Sequence, residues 1–151
     1  MSTELDRRRI VDSLDAADDL TMATVREDGY PQATTVSFAN DGLKIYIGTG
    51  AQAQKAVNIA HDNRISATVN LPYKAWNEIK GLNLAGRAHR VTAPDEFRHV
   101  GELMFKKFPQ ISQYADFGKG MDLALFRIEP EFVSVLDYAQ GFGHTDLVDL
   151  R

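Results

Sequence analysis

The chain has 151 residues, the size of one ordinary domain, and its 44% hydrophobic and 25% charged residues are typical of a globular protein. A net charge of −4 gives no electrostatic basis for binding nucleic acid, which usually needs a basic surface. The absence of cysteine excludes disulfides, thiolate catalysis and sulfur-bound metals. No apolar run is long enough to cross a membrane or to form a secretion signal. We therefore predict a single cytoplasmic domain over residues 1–151.

The first third of the chain predicts a helix followed by an antiparallel meander. A capping box of Thr3 and Asp6 precedes a partial apolar stripe, which predicts an N-terminal helix within residues 1–18. Three strands are expected next, over residues 20–26, 32–39 and 43–47. Both connections contain an Asp-Gly pair, which is typical of tight hairpin turns.

The third strand runs through Gly48-Thr49-Gly50 into a second helix, predicted over residues 50–60. Its apolar residues recur at helical spacing: Ala53, Ala56, Val57 and Ala60. Thr49 is a candidate N-cap, and Lys55 lies just inside the helix. A helix N-terminus with unpaired N–H groups suits a phosphate, and Lys55 would add a full charge. The same pattern also fits a plain connection with a solvated lysine, so both interpretations stay open at this point.

The rest of the chain predicts four further strands and a third helix. The strands are expected at residues 65–71, 82–91, 123–128 and 132–138, and the helix at 94–108. Gly86 and Ala88 leave space beside one face of their strand, as a bound ring or another backbone would need. Residues 139–151 are interpreted as a C-terminal tail. About seven antiparallel strands with three helices predict a mainly β fold, a barrel with flanking helices.

Several catalytic and binding motifs are absent or lie in the wrong context. Gly48-Thr49-Gly50 with Ala53 has the spacing of a dinucleotide fingerprint, but hairpins surround it and no acidic residue follows at the expected distance. The four histidines have no neighbouring ligands at metal spacing, so we expect no metal site. No G-x-S-x-G elbow supports hydrolysis. The residues alone indicate a small barrel able to bind a phosphorylated ligand, and they identify no reaction.

Two longer motifs resemble those of the pyridoxamine 5′-phosphate oxidase-like FMN-binding split-barrel proteins. Residues 29–38 resemble the second strand of that family, G-x-P-x-x-x-x-V-x-F, and residues 45–59 are similar to its third strand and phosphate helix. The resemblance spans residues 20–138. It implies an antiparallel split barrel that works as a homodimer, with FMN at the interface between the subunits.

The resemblance also implies which residues bind the cofactor. Three would lie along the isoalloxazine ring and touch it largely through their backbone: Thr34, Thr35 and Val36. Three would hold the phosphate, in agreement with the helix argument: Thr49, Gln54 and Lys55. An aromatic side chain of the partner subunit's loop, either Trp76 or Tyr73, would cover the ring.

The resemblance leaves the substrate and the catalytic residues unassigned. The segment from Gly141 to Asp146 differs from the substrate segment of the vitamin-salvage oxidases. Tyr138 or His144 would act as acid or base only if the tail folds over the site. Three functions stay open: a flavin-dependent oxidoreductase for a small molecule, a binding protein that holds FMN, deazaflavin or haem, and a barrel without a cofactor.

Overall fold

The computed structural model describes residues 2–118 and 122–151. The strands of this part of the chain are β1 (Asp19–Val25), β2 (Pro31–Ser37), β3 (Ala39–Asp41), β4 (Lys44–Gly50), β5 (Arg64–Asn70), β6 (Lys80–Arg90), β7 (Leu123–Asp137) and β8 (Thr145–Asp149). The α-helices are α1 (Glu4–Ala16), α2 (Gln54–His61) and α3 (Pro94–Lys107), and short 3₁₀ turns cover Trp76–Glu78, Pro109–Gly118 and Tyr138–Gln140.

The strands form one antiparallel sheet in the order β2-β1-β5-β6-β7-β4-β3, and β8 pairs with β7. The edge strand β2 and the strand β4 contact each other without pairing, so the sheet curls into a barrel that is open along this line. We call this line the seam. The fold is therefore mainly β, an antiparallel split barrel with flanking helices, and the predicted fold class is confirmed.

Strand β7 joins the two halves of the barrel. Its residues 123–128 pair with β4, residues 126–137 pair with β6 on the other side, and residues 132–136 also pair with β8. The register with β6 shifts between Ala85 and Gly86, where Gly86 lies opposite Pro130. A Cβ atom on Gly86 would collide with the backbone oxygen of Glu129. The space predicted beside Gly86 is therefore filled by another backbone.

The core lies inside the barrel, because every second residue of its strands faces inward. Helix α1 packs against β6 and β7 through Ile10 and Leu14, both fully buried. Helix α3 covers a second, smaller cluster on the outside, where Tyr46 of β4 contacts Val100. Within the described residues, no helix is long and apolar enough to span a membrane.

The structure differs from several local predictions. Helix α2 begins at Gln54 with Ala53 as its N-cap, and Thr49 belongs to β4, where it pairs with Ala124. The buried face of α2 consists of Ala56, Asn58 and Ile59, whereas Val57 is 45% exposed and Ala60 is also exposed. The two last predicted strands are one continuous strand, β7, and the predicted tail contains β8.

Candidate functional site

The N-terminus of α2 differs from those of the other two described α-helices. Helix α1 is closed by the capping box of Thr3 and Asp6, and α3 carries Asp95 and Glu96 in its first turn. Helix α2 has no side-chain cap and no acidic residue in its first turn. Its first N–H groups and the positive end of its dipole are therefore left for an external anion.

Lys55 and Gln54 occupy the first turn of α2. Lys55 is half-buried, so part of its side chain packs against the protein. Gln54 is exposed, and its amide nitrogen donates to Asn58 Oδ1 at 2.7 Å. This bond leaves the second amide hydrogen of Gln54 free for a ligand. A neighbouring cleft of about 230 Å³ adds no net positive charge, because its Arg26 is paired with Asp28 at 2.9 Å.

Asn58 fixes α2 relative to the strands, and the sequence reasoning missed it. Asn58 is 1% exposed, and its amide donates to Thr24 Oγ1 at 3.0 Å and to Gln32 Oε1 at 3.1 Å. This network connects α2 with β1 and with the edge strand β2. The pattern that could have revealed it is an asparagine among the apolar residues of a helix, since a buried amide requires partners.

Strand β2 carries the three residues assigned to the isoalloxazine ring. Thr34 and Val36 are half-buried on the barrel side, and Thr35 is exposed on the opposite side, where its hydroxyl lies 2.9 Å from the Thr21 hydroxyl. Because β2 is an edge strand, half of its backbone groups have no neighbouring strand to bind. The Thr34 hydroxyl is buried and has no hydrogen-bond partner among the described residues.

The remaining predicted residues do not all lie near α2. Thr49 is half-buried near the end of β4, close to the start of α2 in sequence. Trp76 comes after β5 in the chain, near the C-terminal end of β5 and the N-terminal end of β1. Gln32 lies at the opposite end of these strands. Its ring contacts Phe142, with centroids 5.8 Å apart. Within one subunit, Trp76 and α2 are therefore not brought together.

The segment after β7 packs against the Trp76 loop rather than against α2. The Tyr138 and Phe142 rings lie edge to face with centroids 5.5 Å apart, and the Tyr138 N–H donates to the Ile79 carbonyl. His144 Nε2 lies 3.1 Å from Asp146 Oδ2. The four histidines each lie beside a carboxylate, and no group of three or more candidate metal ligands occurs among the described residues.

Two cavities larger than the cleft beside α2 lie on the outer face of the sheet, which the sequence reasoning also missed. Two adjoining cavities, of about 440 and 490 Å³, share a floor of small residues. Two rows of side chains cross this face: Thr35, Thr21, Thr68, Asn83, Ser134 and Leu147 form the first, and Ala33, Ala23, Ser66, Ala85 and Phe132 the second. These residues are uncharged, whereas Asp149 of β8 lies opposite Phe132 at the end of the second row. We refer to the two rows as the outer face.

Comparison with known proteins identifies the class. Residues 8–136 match the family model described as pyridoxamine 5′-phosphate oxidase. The chain therefore belongs to the pyridoxamine 5′-phosphate oxidase family, as its motifs predict. The sequence matches no curated protein.

Solved structures share this fold at low sequence identity. A haem-binding protein from Mycobacterium smegmatis is 20% identical with a TM-score of 0.78, and the match covers 99% of this chain but 59% of that protein. A conserved hypothetical protein from Mycobacterium tuberculosis is 24% identical, with a TM-score of 0.76 and coverage of 99% and 94%. HutZ, the haem storage protein from Vibrio cholerae, is 21% identical, with a TM-score of 0.69 and coverage of 87% and 92%.

Proposed function

We propose that the protein is an FMN-binding flavoprotein that acts as an oxidoreductase on a small molecule. The observation that carries this proposal is the open N-terminus of α2, with Lys55 in its first turn and no acidic residue of its own. The proposed phosphate ligands are the first N–H groups of α2, Lys55, Gln54 and, from β4, Thr49. The lack of cysteine supports a cytoplasmic location.

The residues along the seam fit the rest of the cofactor. A buried hydroxyl without a partner is costly, and a polar atom of a bound ligand would satisfy Thr34 Oγ1. The backbone N–H and C=O groups of Thr35 point away from β1 at the free edge of the sheet, and they can bind a polar ring edge without a specific side chain. Bound FMN would supply the electron-transfer chemistry, while this chain binds it, orients it and excludes water.

We further propose a homodimer formed through the outer face. One half of this face has small side chains, such as Ala33 and Ala23, and the other half has large ones, Phe132 and Leu147. A two-fold rotation about an axis parallel to the strands would place the large half of each subunit on the small half of the other. The same rotation would bring the partner subunit's Trp76 towards β2.

The first experiment is an absorption spectrum of the purified protein after incubation with FMN and removal of the excess. Retained FMN supports the proposal, and a colourless protein that FMN does not stabilise against heat overturns it. The phosphate assignment is tested by comparing FMN with riboflavin, which lacks the phosphate. We expect Lys55→Gln to weaken FMN binding about tenfold and riboflavin binding little, because one charge-assisted contact is lost. Arg98→Gln removes an equal charge from an exposed site on α3 and serves as the control.

Turnover separates an enzyme from a protein that only stores the cofactor. Reduction of bound FMN by NADH or NADPH, followed by reoxidation by an acceptor, supports the oxidoreductase. Bound flavin that no donor reduces favours the binding protein. A deazaflavin is tested with the same titrations.

Haem is the second candidate ligand, because two of the similar structures are a haem-binding protein and a haem storage protein. Each histidine that could bind the iron lies beside a carboxylate, for example His61 with Glu27 at 3.7 Å. Titration with haemin distinguishes the two cofactors. A sharp, saturable haem band at one haem per subunit, with no retention of FMN, would replace the flavin proposal.

A further inference from the structure

A third cavity, of about 290 Å³, lies between α1 and the ends of β6 and β7. Its lining combines charged and polar side chains with an apolar wall: Arg9, Asp12, Ser13, Leu71, Lys80, Val135, Leu136 and Asp137. The cavity is at the opposite end of the β5–β6 strands from Arg64 and Arg87, and thus from the α2 end of the barrel. It is independent of the proposed FMN site.

Arg9 is anchored through one terminal nitrogen, and its other terminal nitrogen has no partner among the described residues. Its Nη1 donates to Asp146 Oδ2 at 3.1 Å, and the same oxygen lies 3.1 Å from His144 Nε2. Its Nη2 is buried and has no hydrogen-bond partner among the described residues. A buried guanidinium nitrogen without an acceptor is unfavourable, which makes a bound acceptor in the adjoining cavity stabilising.

The other charges of the cavity favour a ligand with both an acidic group and a donor. Lys80 forms no ion pair within the described part of the chain, so its ammonium group can share an anion with Arg9. Asp137 already accepts hydrogen bonds from the Gln140 side chain and the Ala139 N–H. These bonds, with the positive charges of Lys80 and Arg9, lower the pKa of Asp137 below 3.8 and keep it ionised. The exposed carboxylate of Asp12 and the Ser13 hydroxyl can accept from a donor on the ligand.

We propose that this cavity binds a small hydroxy- or amino-carboxylate. Its carboxylate accepts hydrogen bonds from Arg9 Nη2 and the Lys80 ammonium group, and its hydroxyl or amino group donates to Asp12 or Ser13. The apolar wall of Leu71 and Val135 faces the carbon skeleton. The cavity volume of about 290 Å³ accommodates a small molecule of this class.

The experiment is an NMR titration of the full chain that follows the Nε–Hε resonance of Arg9, at constant ionic strength maintained with chloride. Glycolate is the probe, and propionate, which replaces the hydroxyl by a methyl group, is its matched control. We expect a saturable shift with glycolate, in the millimolar range, and weaker binding of propionate. Lys80→Gln should weaken glycolate binding about fivefold or more, because one charge-assisted contact is lost.

Matched variants separate this site from nonspecific charge effects and from the FMN site. Lys74→Gln removes a charge from an exposed lysine nearby, and Lys55→Gln removes one at α2; both should leave glycolate binding unchanged. Arg9→Gln would remove the resonance that is followed, so Lys80→Gln is the deciding variant. A shift that does not saturate, or one that is equal in the wild type and Lys80→Gln, would mean that water alone fills the cavity, and it would overturn the proposal.

Discussion

Helices α2 and α3 both pack on the barrel through polar side chains, but they use charge in opposite ways. The first turn of α3 supplies Glu96, which accepts from Tyr46 Oη at 3.0 Å and from Arg127 Nη1 at 2.6 and 2.9 Å. Arg127 also contacts Glu129, which contacts His89, so the charges at α3 are largely paired with each other. The first turn of α2 is held by hydrogen bonds between neutral side chains. Lys55 forms no ion pair among the described residues.

This difference distinguishes an anchored helix, α3, from the helix that we propose binds a phosphate, α2. At α3 a carboxylate occupies the positive end of the helix dipole, so a second anion would be repelled. At α2 the amide of Asn58 positions the helix without using a charge, and the positive end stays accessible. The following predictions test this contrast, beginning with the largest expected change.

Asn58→Ala should have the largest effect on stability. The substitution leaves Thr24 and Gln32 without their partner in a buried position, and we expect a loss of about 2–3 kcal/mol in the free energy of unfolding. Urea denaturation measures it. Gln54→Ala, at the exposed end of the same network, should cost only about 0.5 kcal/mol. Equal losses in the two variants would contradict the central role of Asn58.

Glu96→Gln should lower stability by about 1–2 kcal/mol at neutral pH, because Arg127 loses its carboxylate partner. Burial raises the pKa of Glu96, but the hydrogen bonds from Arg127 and Tyr46 outweigh it and hold the pKa below 4.5. The stabilising contribution is therefore present above pH 4.5 and disappears as the pH falls through the lower pKa of the folded state. The unfolding curves of the wild type and Glu96→Gln should converge in acid.

Two controls accompany the Glu96 experiment. Asp95→Asn removes a neighbouring acid that is almost fully exposed, and it should change stability little. FMN binding by Glu96→Gln should equal that of the wild type. A weaker affinity for FMN would show that the two helices are not separate in function.

Tyr46→Phe should cost about 1 kcal/mol at neutral pH through the lost hydrogen bond to Glu96. Burial, and then the neighbouring Glu96, raise the pKa of Tyr46 to about 12. The raised pKa means that the folded state favours the neutral, protonated phenol. The contribution of Tyr46 to stability is therefore complete below pH 10 and is lost as the pH rises towards 12. The variant should therefore lose less stability in alkali than the wild type. Parallel curves would argue against the buried bond.

The smallest change in stability, and the most direct test of the contrast, is expected from Ala53→Asp. Ala53 has the extended backbone of an N-cap, so aspartate should cap α2 and stabilise the protein by about 0.5–1 kcal/mol. The same carboxylate should weaken FMN binding by occupying the positive helix end. Ala53→Ser provides a cap without charge, and it should stabilise the protein with a smaller loss of affinity. Stronger FMN binding by Ala53→Asp would contradict the proposed phosphate site.

Local residue patterns were sufficient where the partners are close in sequence. The capping box of Thr3 and Asp6 is present, and the first hairpin pairs Val25 with Pro31. The start of α2 could not be predicted in this way. Gly48, Thr49 and Gly50 continue β4 because residues of β7, distant in sequence, pair with them.

Distant partners also explain the other differences. Pro130 lies within β7 because it faces the register shift at Gly86, where the strand tolerates a residue without an N–H group. For the site, the sequence could indicate Lys55 and Gln54 in the first turn of α2. It could single out Asn58 as a polar residue among apolar ones, but it could not indicate the partners of Asn58 on β1 and β2. It could not indicate the outer face, which requires the register of six strands.

The position of β7 in the sheet has a consequence for how the protein folds. Strands β4 and β6 precede β7 in the chain. Each can pair with the strand before it, β3 or β5, but its other edge is paired only when β7 arrives. The barrel therefore depends on contacts between distant segments, which folding must bring together at a large cost in loop entropy. During synthesis, β4 and β6 leave the ribosome before β7, so one edge of each strand stays unpaired until β7 has been synthesised. That interval is when the chain is most exposed to aggregation.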